Sequence, residues 1–331
     1  MPDLSLSLVV VLLLVLGAEF VNGWTDAPNA IATVVSTKVL SPRKAVVMAV
    51  LLNILGSMSG QAVAATIGKG IVRPEIINLM TVAAAMISLI SWSSLAAYFG
   101  LPTSESHALI AGLAGAGLAT AGPSVLLWEG WRKVIIGLGF STFLGFGFGY
   151  LIILAISWLF RNTPPGKVKK VFGKLQILSA AFMAFGHGSN DGQKFIGAFA
   201  LALVLGGVMP VFHVPLWVIL LCAVVMGIGT SVGGWRIIKT MGVNLVKLET
   251  YHGFAAETGA ATAMQIASVF GIPLSTTHTI NTAIMGVGSA RRFSAVRWGV
   301  AGQIIAAWVL TFPVCGGLSW LVAKVLGFVV G

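Results

Sequence analysis

Gly100-Leu101-Pro102-Thr103-Ser104-Glu105-Ser106-His107 and Gly271-Ile272-Pro273-Leu274-Ser275-Thr276-Thr277-His278 are two copies of one pattern. Each sets a glycine, a proline, a hydroxyl cluster and a histidine inside long apolar sequence. A second pattern is duplicated with them: Gly23-Trp24-Thr25-Asp26-Ala27-Pro28-Asn29 returns in looser form as Gly188-Ser189-Asn190-Asp191-Gly192-Gln193-Lys194. Asp191 follows Asp26 by 165 residues and His278 follows His107 by 171. Two unrelated motifs repeated in the same order at nearly the same offset indicate an internal duplication. In a membrane protein, paired interruptions in the two halves point to a substrate site between the repeats.

The surrounding composition is that of a membrane protein. Of 331 residues 57% are hydrophobic and 9% charged, with a mean hydropathy of +0.97, where a soluble domain carries about 25% charged residues. Apolar runs at Leu4–Phe20, Ala45–Ile67, Ile76–Phe99, Val134–Phe160, Val214–Gly234 and Val300–Val329 approach or exceed the roughly 20 residues of one crossing. The net charge of +11 resides in short connections such as Lys38/Arg43/Lys44 and Arg291/Arg292/Arg297. That is the signature of loops retained in the cytoplasm, so lipid is the expected surroundings and nucleic acid is not a partner. Residues 1–23 have the apolar core of a signal peptide but no basic n-region, and they run directly into the Asp26 motif. They are read as a first membrane helix. Cys222 and Cys315 lie far apart in apolar runs and suggest neither a disulfide nor a metal site.

Arg161 through Lys174, with Pro164, Pro165 and a run of lysines, divides the chain. The expected organisation is a first transmembrane repeat, 1–160, a basic cytoplasmic linker, 161–174, and a second repeat, 175–331. Inverted repeats each cross the membrane an odd number of times, which puts both termini outside. The fold class that follows is an all-α polytopic membrane protein of two inverted repeats, each with a broken helix and a re-entrant helical hairpin whose tip is the Gly-x-Pro motif. Glycines 137 to 149 and Gly112, Gly115 and Gly117 are expected to let helices approach closely.

The chemistry divides between the motifs. A carboxylate inside a membrane costs at least ~2.5 kcal/mol and persists where it pairs, lines an aqueous path or binds an ion. Asp26 with Asn29, and Asp191 with Asn190 and Gln193, offer oxygen ligands to a hard cation such as Na⁺, with Asp26, Asn29 and Asp191 its nearest set. The same carboxylates are suited to accept a proton. Thr103, Ser104 and Ser106, and Ser275, Thr276 and Thr277, follow a proline at a helix start, where hydroxyls, unpaired backbone N–H groups and the helix dipole cradle an anion. Lys194 either attracts that anion or pairs with Asp191. His107 and His278 are expected to hydrogen-bond the tips. No phosphate-binding loop, zinc-protease motif or Cys-x-x-Cys is present, so nothing in the sequence suggests ATP-driven pumping or zinc hydrolysis, and no cofactor is expected.

At these residues the chain resembles the inorganic phosphate transporter (PiT) family, most closely its bacterial low-affinity type. The resemblance is carried by the two Asp motifs, the two Gly-x-Pro tips, Gly233-Gly234-Trp235-Arg236 through Gly242, and Met285-Gly286-Val287-Gly288 with Arg291-Arg292, and it extends over nearly the whole chain. It implies two inverted repeats with hairpins in the cell (plasma) membrane, and a secondary transporter importing inorganic phosphate by alternating access. Coupling would be to H⁺ or Na⁺, or the anion would travel as a divalent metal–phosphate complex. Many members keep Asp-x-x-Asn in both repeats, whereas here Lys194 answers Asn29. That departure favours H⁺ or metal–phosphate coupling. Sulfate is the rival substrate, and the two carboxylates favour phosphate because only phosphate carries a proton near neutral pH. An intramembrane aspartyl protease would use the two aspartates but leaves the hydroxyl tips unexplained, and a passive anion channel gives the carboxylates no role. A homo-oligomer is compatible with the sequence.

Overall fold

Each half runs through the same succession of elements in the computed structural model, which describes residues 5–330; Met1–Leu4, with the Asp3 to which the topology reading appeals, and Gly331 lie outside the described residues. In the first half α1 (Leu6–Ser36) is followed by a bent pair, α2 (Pro42–Ser57) and α3 (Ala62–Gly70). Then come α4 (Leu79–Phe99), α5 (Glu105–Ala121), and α6 (Trp128–Gly139) joined to α7 (Gly145–Leu159) by a π-helical turn at Phe140–Leu144. In the second half α8 (Pro165–His187) and α9 (Gln193–Leu205) are joined by a π-helical turn at Gly188–Gly192. A bent pair follows, α10 (Leu216–Val232) and α11 (Trp235–Lys239), the latter prolonged by a π-helical stretch, and then α12 (Thr250–Val269), α13 (Thr276–Arg291) and α14 (Trp298–Val330). Even two isolated β-bridges repeat, Val72 with Leu126 and Val246 with Val296.

The stretches Leu6–Ser36, Leu79–Phe99, Trp128–Leu159 and Trp298–Phe328 are each long and apolar enough to cross a bilayer, and the two bent pairs qualify as broken spans. The chain is a multi-pass, all-helical membrane protein. The Gly-x-Pro motifs interrupt their helices as expected, and the Asp motifs do not. The interruption expected at Asp26 is absent: α1 runs 31 residues with Pro28 inside it, since a membrane helix absorbs one lost backbone bond with help from its neighbours. At Asp191 the distortion is a π turn, not a gap. The broken helix of each half is instead its second element, kinked by 68° between α2 and α3 and by 63° after α10. The basic stretch 161–174 is a short turn and then helix, because Pro165 sits at the start of α8, where a proline is well tolerated.

Backbone contacts show how the halves fit. A Cβ on Gly23 of α1 would lie 2.2 Å from the Met226 carbonyl oxygen of α10, and one on Gly188 would lie 2.1 Å from the Asn53 carbonyl oxygen of α2. Gly115 of α5 meets Gly316 of α14 and Gly286 of α13 meets Phe146 of α7 in the same way, at 2.0 and 2.2 Å. Every one of these crossings joins an element of one half to an element of the other. The halves interlock, and small residues permit it. In the expected glycine run only Gly137, Gly145 and Gly149, spaced by eight and four residues, take part, while Gly139 and Gly147 meet nothing within 4 Å.

Candidate functional site

The two hairpin tips are built alike. α4 ends at Gly100 with φ 71° and α12 gives way to Gly271 with φ 63°, left-handed conformations that favour glycine. Pro102 and Pro273 then hold the residues before them extended. Ser104 and Ser275 restart the chain as helix, their Oγ atoms accepting from the backbone N–H of His107 at 3.3 Å and of His278 at 3.1 Å. The tips touch: Ser106 Oγ donates to the Leu274 carbonyl at 2.9 Å, and the rings of His107 and His278 meet edge-on with centroids 4.5 Å apart.

Between the tips lie the two Asp motifs. Thr277 donates to Asp26 Oδ1 at 3.1 Å and Thr276 to Asp191 Oδ2 at 2.5 Å. Asn29 Nδ2 donates to Thr276 and Thr277 at 3.2 and 2.9 Å. The Lys194 ammonium bonds Asp191 Oδ1, Ser106 Oγ at 2.5 Å and the Leu274 carbonyl at 2.8 Å. Asp26, Asn29, Asp191, Lys194, Ser106, Thr276 and Thr277 are all 2% exposed or less. The site is closed around its own charges. A carboxylate oxygen each from Asp26 and Asp191 and a ring nitrogen of His187 lie within 4.8 Å of one another, and buried Asn29 Oδ1 has no hydrogen-bond partner. Two carboxylates and a free amide oxygen are a donor set suited to a hard cation.

Other residues singled out in the sequence have different duties. Thr103 is buried in the first tip beside the capping Ser104. Asn190 Nδ2 ties the second hairpin through Ser268 Oγ at 3.0 Å and the Ile272 carbonyl at 3.2 Å, leaving its buried Oδ1 unpartnered. Gln193 is committed at both ends, its amide donating to the Ser189 carbonyl and its oxygen accepting from Val63 N–H at the start of α3. The expectation that the histidine rings bond the tips is corrected. Neither nitrogen of His278 nor Nδ1 of His107 has a partner, and the rings pack on Trp308 and Phe312 instead.

Sequence reasoning passed over three buried carboxylates. Glu105 accepts from Thr25 at 2.9 Å and from Ser93, holding the first tip to α1 and α4. Glu257 accepts from Thr33 at 2.5 Å, Gln176 at 3.1 Å and Ser179. Glu19 accepts from Asn22 at 3.0 Å. His187 stands 3.3 Å from Asp191 Oδ2 and donates through Nδ1 to Asn53 Oδ1 at 3.1 Å. The signal was available: an acidic residue inside an apolar run is a candidate wherever it occurs, and these three met that criterion as Asp26 and Asp191 did.

The pattern of the phosphate transporter family matches residues 22–319. A probable low-affinity inorganic phosphate transporter of Rhizobium meliloti (strain 1021) is 46% identical over 305 residues, spanning 92% of this chain and 91% of the relative. One of Bacillus subtilis (strain 168) is 36% identical over 332 residues, spanning 99% of this chain and all of the relative. A solved structure described as the sodium-dependent phosphate transporter matches with a TM-score of 0.89 over 98% of this chain and 100% of its own, at 24% identity, a likeness of fold. The chain belongs to the phosphate transporter family, and it is a transporter rather than an enzyme.

Proposed function

We propose that the protein imports inorganic phosphate across the cell membrane by alternating access, with a cation or proton travelling in the same direction. The observation that carries this reading is the meeting of two hairpin tips, one from each half, over two aspartates. Two helix starts bring unpaired N–H groups and hydroxyls to one point, which suits a tetrahedral oxyanion. Asp26 and Asp191 suit the companion: each accepts a hydrogen bond from a hydroxyl of the second tip, so an anion entering there competes with the carboxylates for Thr276 and Thr277. A cation or proton received by the carboxylates relieves that competition, and this couples the two species. Phosphate fits better than sulfate, because a protonated oxyanion donates to a carboxylate where a fully ionised one is repelled. The names borne by the relatives favour phosphate as well.

In this reading the interlocked halves are inverted repeats about the membrane midplane, residues 161–174 are cytoplasmic and both termini are outside. The crosswise pairing supports it, since Asn29 of the first half bonds the second tip and Lys194 of the second half bonds the first. The test is uptake of labelled phosphate into proteoliposomes under separately imposed Na⁺, H⁺ and divalent-metal gradients, with labelled sulfate in parallel. Gradient-driven phosphate uptake is expected. Equal uptake of sulfate, or phosphate flux that no gradient accelerates, would overturn the proposal in favour of a general anion permease or a channel.

A further inference from the structure

We propose that Lys194 is a built-in coupling cation: its ammonium permanently fills, in the second half, the position that the first half leaves to a mobile ion. The inference rests on the transport reading above and narrows it to a count of ions.

The internal symmetry identifies the position. The 165-residue offset that carries Asp26 to Asp191 carries Asn29 to Lys194, and the 171-residue offset between the tips carries Ser106 to Thr277. The contacts obey the same correspondence. Asn29 reaches across to Thr277 at 2.9 Å, and Lys194 reaches across to Ser106 at 2.5 Å. The two side chains therefore stand in equivalent places with opposite chemistry, one a neutral amide and the other a charge.

The surroundings of Lys194 Nζ are those of a bound cation. Its three N–H bonds meet three oxygens from different parts of the chain: the Asp191 carboxylate beside it, the Ser106 hydroxyl of the first tip and the Leu274 carbonyl of the second. The side chain is 1% exposed. A carboxylate, a hydroxyl and a backbone carbonyl are the hard oxygen donors that bind an alkali-metal ion, and here they coordinate an ammonium on a tether. With all three protons engaged, none points to a transported anion. In the first half Asn29 Oδ1 is buried with no partner, next to Asp26. An acceptor left over in one half and an ammonium matched to its acceptors in the other make the site asymmetric: one mobile-cation place and one fixed cation.

The experiment measures labelled phosphate uptake into proteoliposomes of the full-length protein against external Na⁺ and against external protons, with choline as replacement. The panel is wild type, Lys194→Asn, which copies the first-half amide, and Lys194→Met, which keeps bulk without charge or oxygen. Wild-type uptake is expected to rise with no more than first order in whichever cation drives it, and an order of two or more overturns the proposal without reference to any variant. Lys194→Asn is expected to lose about tenfold or more of its uptake in choline, since one partner of a buried ion pair is gone, and to recover in Na⁺ with an order one higher than wild type. Lys194→Met is expected to be inactive in both. An unchanged Na⁺ dependence in Lys194→Asn, or wild-type uptake by Lys194→Met, overturns it. Melting of the purified variants separates this from failure of the transport reading, because Na⁺ should raise the melting temperature of Lys194→Asn over choline by more than that of Lys194→Met, which keeps only the first-half place, whatever the cargo. An equal rise in the two variants overturns the cage.

Discussion

Asp26 and Asp191 stand in equivalent motifs, but one lies in a regular helix and the other in a π turn. α1 passes through Asp26 at ordinary pitch, with Pro28 removing one backbone hydrogen bond. The second motif winds wider at Gly188–Gly192, and the widened turn directly precedes the helix that carries Lys194. π turns are common at functional sites because the altered pitch re-aims the side chains around them. The long helices keep equivalent backbone contacts all the same, Gly23 against α10 and Gly188 against α2. The backbone contacts of the two halves correspond and their charges do not. In the proposed function, binding is differentiated by these few side chains, and variants in matched pairs show how deep the difference runs.

The largest expected effect separates the two aspartates. Asp26→Asn and Asp191→Asn should both abolish phosphate uptake, since an amide keeps the shape and loses the charge that, in the proposed mechanism, receives a cation or proton. Their folded states should differ. Asp26 is held by a threonine hydroxyl, which an amide oxygen still accepts, so Asp26→Asn should melt near wild type. Asp191→Asn leaves the Lys194 ammonium buried without its counter-charge, a loss of about 3–5 kcal/mol. Uptake assays with melting curves in detergent check this. Equal melting temperatures would mean that the Lys194–Asp191 pair is not a structural element of the second half.

The next pair compares hydroxyls at equivalent tip positions. Ser106 bonds the Lys194 ammonium, and Thr277 bonds Asp26 and Asn29 beside the proposed mobile-ion place. Hydrogen bonds to charged groups are worth about 1.5–3 kcal/mol, so Ser106→Ala and Thr277→Ala should each raise the half-saturating phosphate concentration roughly tenfold. Only Thr277→Ala should also weaken the dependence on the driving cation. A cation response altered equally in both variants would erase the functional difference between the halves.

The frame of this difference was readable in the sequence and its wiring was not. Duplicated glycines and prolines act through their own backbone, so the tips and their N-caps follow from local chemistry. Gln193 stands two residues from Asp191, yet its side-chain oxygen accepts from Val63 N–H at the start of α3, whose position no local pattern gives. Glu105 lay inside the quoted motif and went unassigned because its partners, Thr25 and Ser93, are on other helices. The first motif was expected to break its helix, but proline alone does not decide that in a packed membrane helix. Contacts between halves depend on how they interlock, and only the full set of crossings fixes it.

The smallest expected effect belongs to the caps, where the halves should agree. Ser104 and Ser275 each accept a hydrogen bond from the third residue of the helix they start, at 3.3 and 3.1 Å, and both follow a left-handed glycine and a proline. Removing an N-cap hydroxyl costs about 1 kcal/mol, which corresponds to roughly a fivefold change in an equilibrium. Ser104→Ala and Ser275→Ala should therefore melt slightly and equally below wild type, and their phosphate affinities should fall less than those of Ser106→Ala and Thr277→Ala. The loss should be shared because a frayed tip misplaces its N–H groups whichever half it belongs to. A much larger affinity loss in Ser275→Ala than in Ser104→Ala would place the asymmetry in the anion cradle itself. The division of labour argued from Lys194 would then have to extend to the tips, with the second hairpin holding phosphate and the first only closing over it.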